Sequence, residues 1–125
     1  MLNMALCASP VVYQASVEGG VPPSPRFAHA VAPVGDGGGG LASFYVFGGE
    51  DDASVLNDTF RFVVTSETTG DWQDVGMVDL LRPPGRSHHL AFWDSGRSRV
   101  IIIGGNGAAR GRTARNDVWE LRIRP

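Results

Sequence analysis

Short apolar runs organise this chain. Residues 44–47 and 100–103 are continuous apolar runs that are too short for helices, and two glycines end each of them. Such runs are typical of strands covered on both faces. Residues 60–64 and 118–123 alternate between apolar and other side chains, as half-exposed strands do, and residues 71–75 predict one further strand. We therefore predict an all-β fold of short strands.

The strand pattern occurs twice. Three markers return in the same order at spacings of 60, 56 and 59 residues, which indicates an internal repeat. The markers are an R-x-x-H pair (Arg26 and His29, then Arg86 and His89), a Gly-Gly pair (Gly48-Gly49, then Gly104-Gly105) and an Asn-Asp pair (Asn57-Asp58, then Asn116-Asp117).

This repeat resembles the kelch repeat, whose four-stranded unit forms one blade of a β-propeller. The resemblance spans residues 10–125. It rests on the three markers, on a proline-rich approach to R-x-x-H, and on an aromatic in the third strand (Phe60, then Trp119), which the fourth-strand Trp72 follows in the first repeat. It implies four-stranded antiparallel blades, with protein interaction as the commonest role.

The spacing of the aromatics divides the chain. Tyr13 precedes Arg26 much as Trp72 precedes Arg86, so residues 11–20 are predicted to be the outer strand of a preceding blade, after an irregular segment 1–10. Residues 21–81 then form one blade, and residues 82–125 a second blade without its fourth strand. The strand order d-abcd-abc is an incomplete ring, which further blades or self-association would complete.

Composition and charge exclude several classes of protein. The formal net charge of −2 gives no general attraction to nucleic acid or to a membrane surface. All eleven basic residues are arginine, so neither a Walker lysine nor a Schiff-base lysine is available. Cys7 is the one cysteine, which excludes a disulfide framework. The first ten residues lack the basic region of a signal peptide, so a cytoplasmic location is the default expectation, with a nuclear one open.

Glycine motifs for a dinucleotide are present only in part. Gly105 and Gly107 begin such a motif, but Arg110 stands where a small residue is required, and too few residues follow for a crossover helix and a second strand. The G-x-G-x-x-G match at residues 35–40 precedes a predicted strand instead of a helix. We predict no cofactor.

The polar residues near the R-x-x-H pairs favour structural roles. The three histidines do not form a metal-ligand pattern, so no metal is predicted. Ser87 and His88 are expected to point to opposite faces of a strand, which argues against a catalytic triad with Asp94. Arg26 and Arg86 are expected to pair with carboxylates or, alternatively, to line a central channel.

The loops after the second strand of each blade differ sharply in charge. One contains Glu50, Asp51 and Asp52, and the other contains Arg110, Arg112 and Arg115. Residues 1–81 hold two arginines and ten acidic residues, net −8, whereas residues 82–125 hold nine arginines and three acidic residues, net +6. These six residues predict a partner-binding face, and ordinary solvated loops are the alternative.

The predicted function is a non-catalytic protein–protein interaction module with unidentified protein partners. Two alternatives stay open: a fragment of a propeller enzyme whose catalytic groups lie in other blades, and a structural half-propeller that assembles with itself.

Overall fold

The computed structural model describes residues 14–34, 42–75 and 82–122. These ranges contain strands and no helix, which confirms the all-β prediction for them, and no helix long and apolar enough to cross a membrane is found there. The strands are β1 (Ser16–Gly19), β2 (Ala30–Val34), β3 (Ser43–Phe47), β4 (Thr59–Val64), β5 (Thr69–Asp74), β6 (Leu90–Asp94), β7 (Arg99–Asn106) and β8 (Ala114–Arg122).

The described strands form two open sheets. The first sheet has the order β1-β5-β4-β3-β2, and the second has the order β6-β7-β8. Consecutive strands from β2 to β5 are antiparallel, as are those from β6 to β8. Each repeat therefore folds as a meander, in which consecutive strands lie side by side.

The N-terminal strand differs from the prediction. β1 belongs to the first sheet and runs parallel to β5, with Ser16 opposite Thr69, whereas residues 11–20 were expected in a preceding blade. The first sheet is consequently five-stranded and mixed in direction. An edge strand such as β5 presents unpaired N–H and C=O groups, and β1 satisfies them. Tyr13, Cys7 and the glycine motif at residues 35–40 lie outside the described residues.

The core lies between the two sheets. Its buried side chains come from β2, β3 and β7, and those of β3 and β7 belong to the apolar runs that predicted strands covered on both faces. Tyr45 stacks on Trp93 across the interface, with ring centroids 6.0 Å apart. The core consists of Ala32, Tyr45, Phe47, Val100 and Ile102, with Val34, Val75, Ala91, Trp93, Trp119 and Leu121 packed around it.

Aromatic residues also cover the other face of the first sheet. Phe60 and Trp72 pack against each other on this face, in an edge-to-face contact of 6.3 Å. Phe44 and Phe62 complete the group, stacked at 5.3 Å. Trp119 packs against the core between the sheets.

The second repeat has a longer hairpin than the first. Asn57 and Asp58 directly precede β4, whereas their counterparts Asn116 and Asp117 lie inside β8. The difference arises because β7 continues beyond its two glycines and pairs Asn106 with Ala114. Arg115, which was placed in the loop, is therefore a strand residue.

Candidate functional site

The two Gly-Gly pairs form equivalent turns. The φ angles are 64° and 101° at Gly48 and Gly49, and 65° and 98° at Gly104 and Gly105. A φ near 65° is strained for residues with a Cβ, which explains why glycine occurs at the first position of each pair. The sequence repeat is thus matched by a repeat of backbone conformation at the same end of both sheets.

An arginine binds each turn in the same way. Arg26 forms an ion pair with Asp58 and donates from Nη1 to the carbonyl of Gly48, at 3.0 Å. Arg86 donates from Nη1 to the carbonyl of Gly104, also at 3.0 Å, and holds both carboxylate oxygens of Asp117 at 2.7 and 2.9 Å. Both arginines therefore pair with a carboxylate of their own repeat, as expected from the sequence.

The Arg86 pair is partly shielded from solvent. The Arg86 side chain is fully buried, whereas that of Asp117 is partly exposed. The hydrogen bonds from Arg86 hold the pKa of Asp117 well below its usual range, and the indole N–H of Trp119 adds to this effect at 2.7 Å. Because Asp117 stays ionised, the arginine keeps its counter-charge at any pH near neutrality.

A buried histidine joins the two repeats. His89 donates from Nε2 to the carbonyl of Phe47 at 2.9 Å, and its ring stands edge-on to the Phe47 ring. This donation leaves Nδ1 as the unprotonated nitrogen, and among the described residues Nδ1 has no hydrogen-bond partner. Burial is the main reason that the pKa of His89 is lowered to about 4. His89 is thus a neutral structural group.

Ser87 and His88 do not diverge, contrary to the prediction. The Ser87 hydroxyl lies 3.2 Å from Nδ1 of His88 and donates to Glu50 Oε1 at 3.0 Å. The alternation rule fails because both residues precede β6 and because His88 has a φ of 56°. The Ser87 side chain is fully buried, which keeps its hydroxyl away from any substrate. Asp94 instead pairs with Arg99.

The acidic loop is only partly available at the surface. Glu50 is buried and forms a backbone bridge with Phe27 in addition to its bond with Ser87. Asp51 accepts hydrogen bonds from the amides of Ala53 and Ser54, which lower its pKa. Asp52 is the exposed member of the three. The sequence did not reveal the inward orientation of Glu50, because Ser87 lies 37 positions away.

The arginine loop is an ordered hairpin, residues 107–113. Asn106 donates from Nδ2 to the carbonyls of Ala108 and Gly111, both at 2.8 Å, and its Oδ1 accepts from the amide of Thr113 at 2.7 Å. One side chain thus links both arms of the hairpin. The Asn106-Gly107 dipeptide, a common turn signal, was the clue that could have identified this role.

The hairpin presents two exposed arginines. Arg110 sits at the tip with a φ of 56°, and Arg112 follows two residues later. Arg115 is half-buried, because its guanidinium lies beside the backbone of Gly107, where any Cβ would come within 2.6 Å of it. None of the ion pairs between described residues involves these three arginines. Arg110 and Arg112 are therefore exposed cations that have no ion-pair partner among the described residues.

The described residues contain no group of three or more metal-ligating side chains. Comparison with models of known protein families gives no match to the chain, and comparison with curated proteins gives none either. The repeated turns, their junction and the arginine hairpin are the features on which a function can be based.

Proposed function

We propose that the chain is a pair of successive kelch-type β-propeller blades. The support is the repetition of the same contacts in both repeats, from the Gly-Gly φ angles to the Arg–Asp pairs. The second sheet also packs on one face of the first, as successive blades do. On this proposal, His89 and Ser87 form the junction between two blades.

The proposed function is non-catalytic binding of a protein partner through the end of the sheets that carries the Gly-Gly turns. The observation that carries it is the arginine hairpin: a loop ordered by Asn106 that holds Arg110 and Arg112 in solvent. A preformed loop loses less conformational entropy when a partner binds. Arginine binds carboxylates and phosphates with two parallel hydrogen bonds, so the partner is an anionic protein segment.

The acidic loop contributes less than its sequence suggests. Glu50 stabilises the junction and Asp51 its own turn, which leaves Asp52 for a partner. The proposed binding surface is thus narrower than the six residues of the sequence prediction. It consists of Arg110 and Arg112, with Arg115 at the base of the hairpin and Asp52 on the neighbouring loop.

Fluorescent peptides test the proposal. The probes are a glutamate-rich peptide, a phosphoserine peptide and a lysine-rich peptide of equal length, and anisotropy reports binding to the native chain. We expect one or both anionic peptides to bind and the lysine peptide to fail. Replacing Arg110 and Arg112 together by glutamate is expected to weaken binding by about tenfold or more, because two charge-assisted contacts become repulsive.

The matched control reverses two exposed arginines elsewhere. Arg97→Glu with Arg122→Glu changes the net charge equally, and both side chains are exposed at the opposite end of the second sheet from the hairpin. This variant is expected to bind like the native chain. Equal losses in the two double variants would mean attraction by net charge alone, and failure of both anionic peptides to bind the native chain would reject the hairpin as an anion-binding site.

A further inference from the structure

The outer face of the second sheet is apolar and partly exposed. Leu90, Phe92 and Val118 are 68%, 49% and 64% exposed, and they surround the buried Ile101 and the half-buried Ile103. We call these five residues the open face. A contiguous exposed group of large apolar side chains marks an interaction surface in a soluble protein.

The first sheet shows what covers such a face. Leu90 occupies the repeat position of Ala30, and Ile103 occupies that of Phe47. Ala30 pairs with Phe47 across β2 and β3, and Leu90 pairs with Ile103 across β6 and β7 in the same register. Ala30 and Phe47 are buried by the second sheet. The open face is therefore the second-repeat counterpart of a surface that is already an interface within the chain.

The Gly104-Gly105 turn beside the open face has the same backbone conformation as the Gly48-Gly49 turn, which contacts the next repeat. A Cβ at Gly48 would lie 2.7 Å from the carbonyl oxygen of Arg86, which belongs to the next repeat. At Gly104, which has the same φ, the Arg115 carbonyl oxygen at 3.1 Å is the one near atom among the described residues. The second turn thus has the conformation that receives an R-x-x-H segment.

The first repeat exposes the matching segment. His29 is exposed, although its counterpart His89 is buried against the Phe47 carbonyl. Phe27 is 53% exposed, although its counterpart Ser87 is fully buried against Glu50. Val31, beside them on the face of the first sheet that points away from the second, is 42% exposed.

We propose that a second copy of this chain packs head to tail on the open face, with its Phe27–Val31 segment against the Gly104-Gly105 turn. The His29 ring of that copy then bonds the carbonyl of Ile103, as His89 bonds that of Phe47. Charge favours this pairing of unlike repeats, because residues 1–81 carry −8 and residues 82–125 carry +6. Like repeats would repel each other.

The association uses the open face and the Gly104-Gly105 turn and does not need the Arg110 and Arg112 side chains, so its failure can be told apart from a failure of the proposed binding function. Sedimentation of the native chain over a range of concentrations is expected to show assembly. Head-to-tail contacts use a different surface on each of the two copies, so the assemblies are expected to grow beyond a dimer or to close into rings. A native chain that stays monomeric at every soluble concentration overturns the proposal.

Two single variants block the two proposed surfaces. Leu90 lies on the open face, and Val31 lies on the surface of the first sheet that points away from the second. Leu90→Arg and Val31→Arg are each expected to weaken association on the order of 100-fold, because each buries an unpaired charge in the contact. His29→Ala is expected to weaken it about fivefold through one lost hydrogen bond. Val21→Arg, at a 78% exposed valine outside both surfaces, is the matched control and should assemble normally.

Mixing the two blocked variants distinguishes head-to-tail packing from a symmetric contact. Each variant keeps one intact surface, so the mixture is expected to form a one-to-one heterodimer that grows no further. Near-ultraviolet circular dichroism checks that both variants are folded. If Val31→Arg alone still dimerises as the native chain does, two open faces pack on each other and the head-to-tail arrangement is wrong.

Discussion

Phe47 and Ile103 hold equivalent places in the two repeats but have different surroundings. Each precedes a Gly-Gly turn, and each pairs with the first residue of the preceding strand. Phe47 is buried by the second sheet, whereas Ile103 lies on a face that remains half-open. The Gly-Gly turn therefore has the same structure whether or not a second sheet covers the strand before it. The second sheet buries Phe47 but does not create the turn.

The largest expected difference follows from this burial. Phe47→Ala is expected to lower the free energy of unfolding by about 4 kcal/mol, since it removes a buried aromatic ring, and Ile103→Ala by about 1 kcal/mol. Urea unfolding of dilute protein measures both. Equal losses would mean that the two sheets do not support each other.

The two first-position glycines provide a smaller contrast. Both have a φ near 65°, so alanine strains either turn by about 1 kcal/mol. At Gly48 the added Cβ also meets the Arg86 carbonyl at 2.7 Å. We expect a total loss of roughly 3 kcal/mol for Gly48→Ala and about 1 kcal/mol for Gly104→Ala. Thermal unfolding would contradict the junction geometry if Gly104→Ala were the worse variant.

The burial of His89 makes the stability of the chain depend on pH in the acidic range. Burial, with help from the Arg86 charge, lowers the pKa of His89 from 6.5 to about 4, so the unfolded chain binds the proton first. The contribution of the neutral His89 to the free energy of unfolding is therefore complete above pH 6.5 and is lost as the pH falls from 6.5 towards 4. Between pH 7 and pH 5 the free energy of unfolding falls by roughly 2 kcal/mol from this group.

A variant isolates this pH dependence from that of the carboxylates. His89→Gln can still donate to the Phe47 carbonyl but does not titrate, so its unfolding free energy should fall less steeply with acid than that of the native chain. Identical slopes for the two proteins would show that His89 is not buried as a neutral group.

The smallest contrast concerns the two loops. Asn106→Ala removes side-chain bonds to both arms of the arginine hairpin and is expected to cost about 1 to 2 kcal/mol. Asp51→Ala loses bonds within one short turn and should cost less. Amide exchange reports the local effect, and the Thr113 amide should exchange faster only in the Asn106 variant. Unchanged Thr113 protection there would show that Asn106 does not order the hairpin.

Much of the local structure followed from the sequence. The apolar runs that end in Gly-Gly predicted the central strands, and the alternation after Asp117 predicted β8, because strand periodicity is a property of neighbouring residues. The repeat also predicted that Arg26 and Arg86 occupy equivalent places with carboxylate partners, since equal spacing in two copies of one unit gives equal contacts.

Contacts between distant segments were decided by the tertiary structure. The sequence predicts Glu50 in an exposed loop, whereas the structure buries it against Ser87, which lies 37 positions later in the chain. The parallel position of β1 and the buried place of His89 likewise depend on strands that are far apart in the chain. Sequence periodicity specifies which side of a strand a residue takes, whereas burial depends on which other segment packs there, and only the fold decides that.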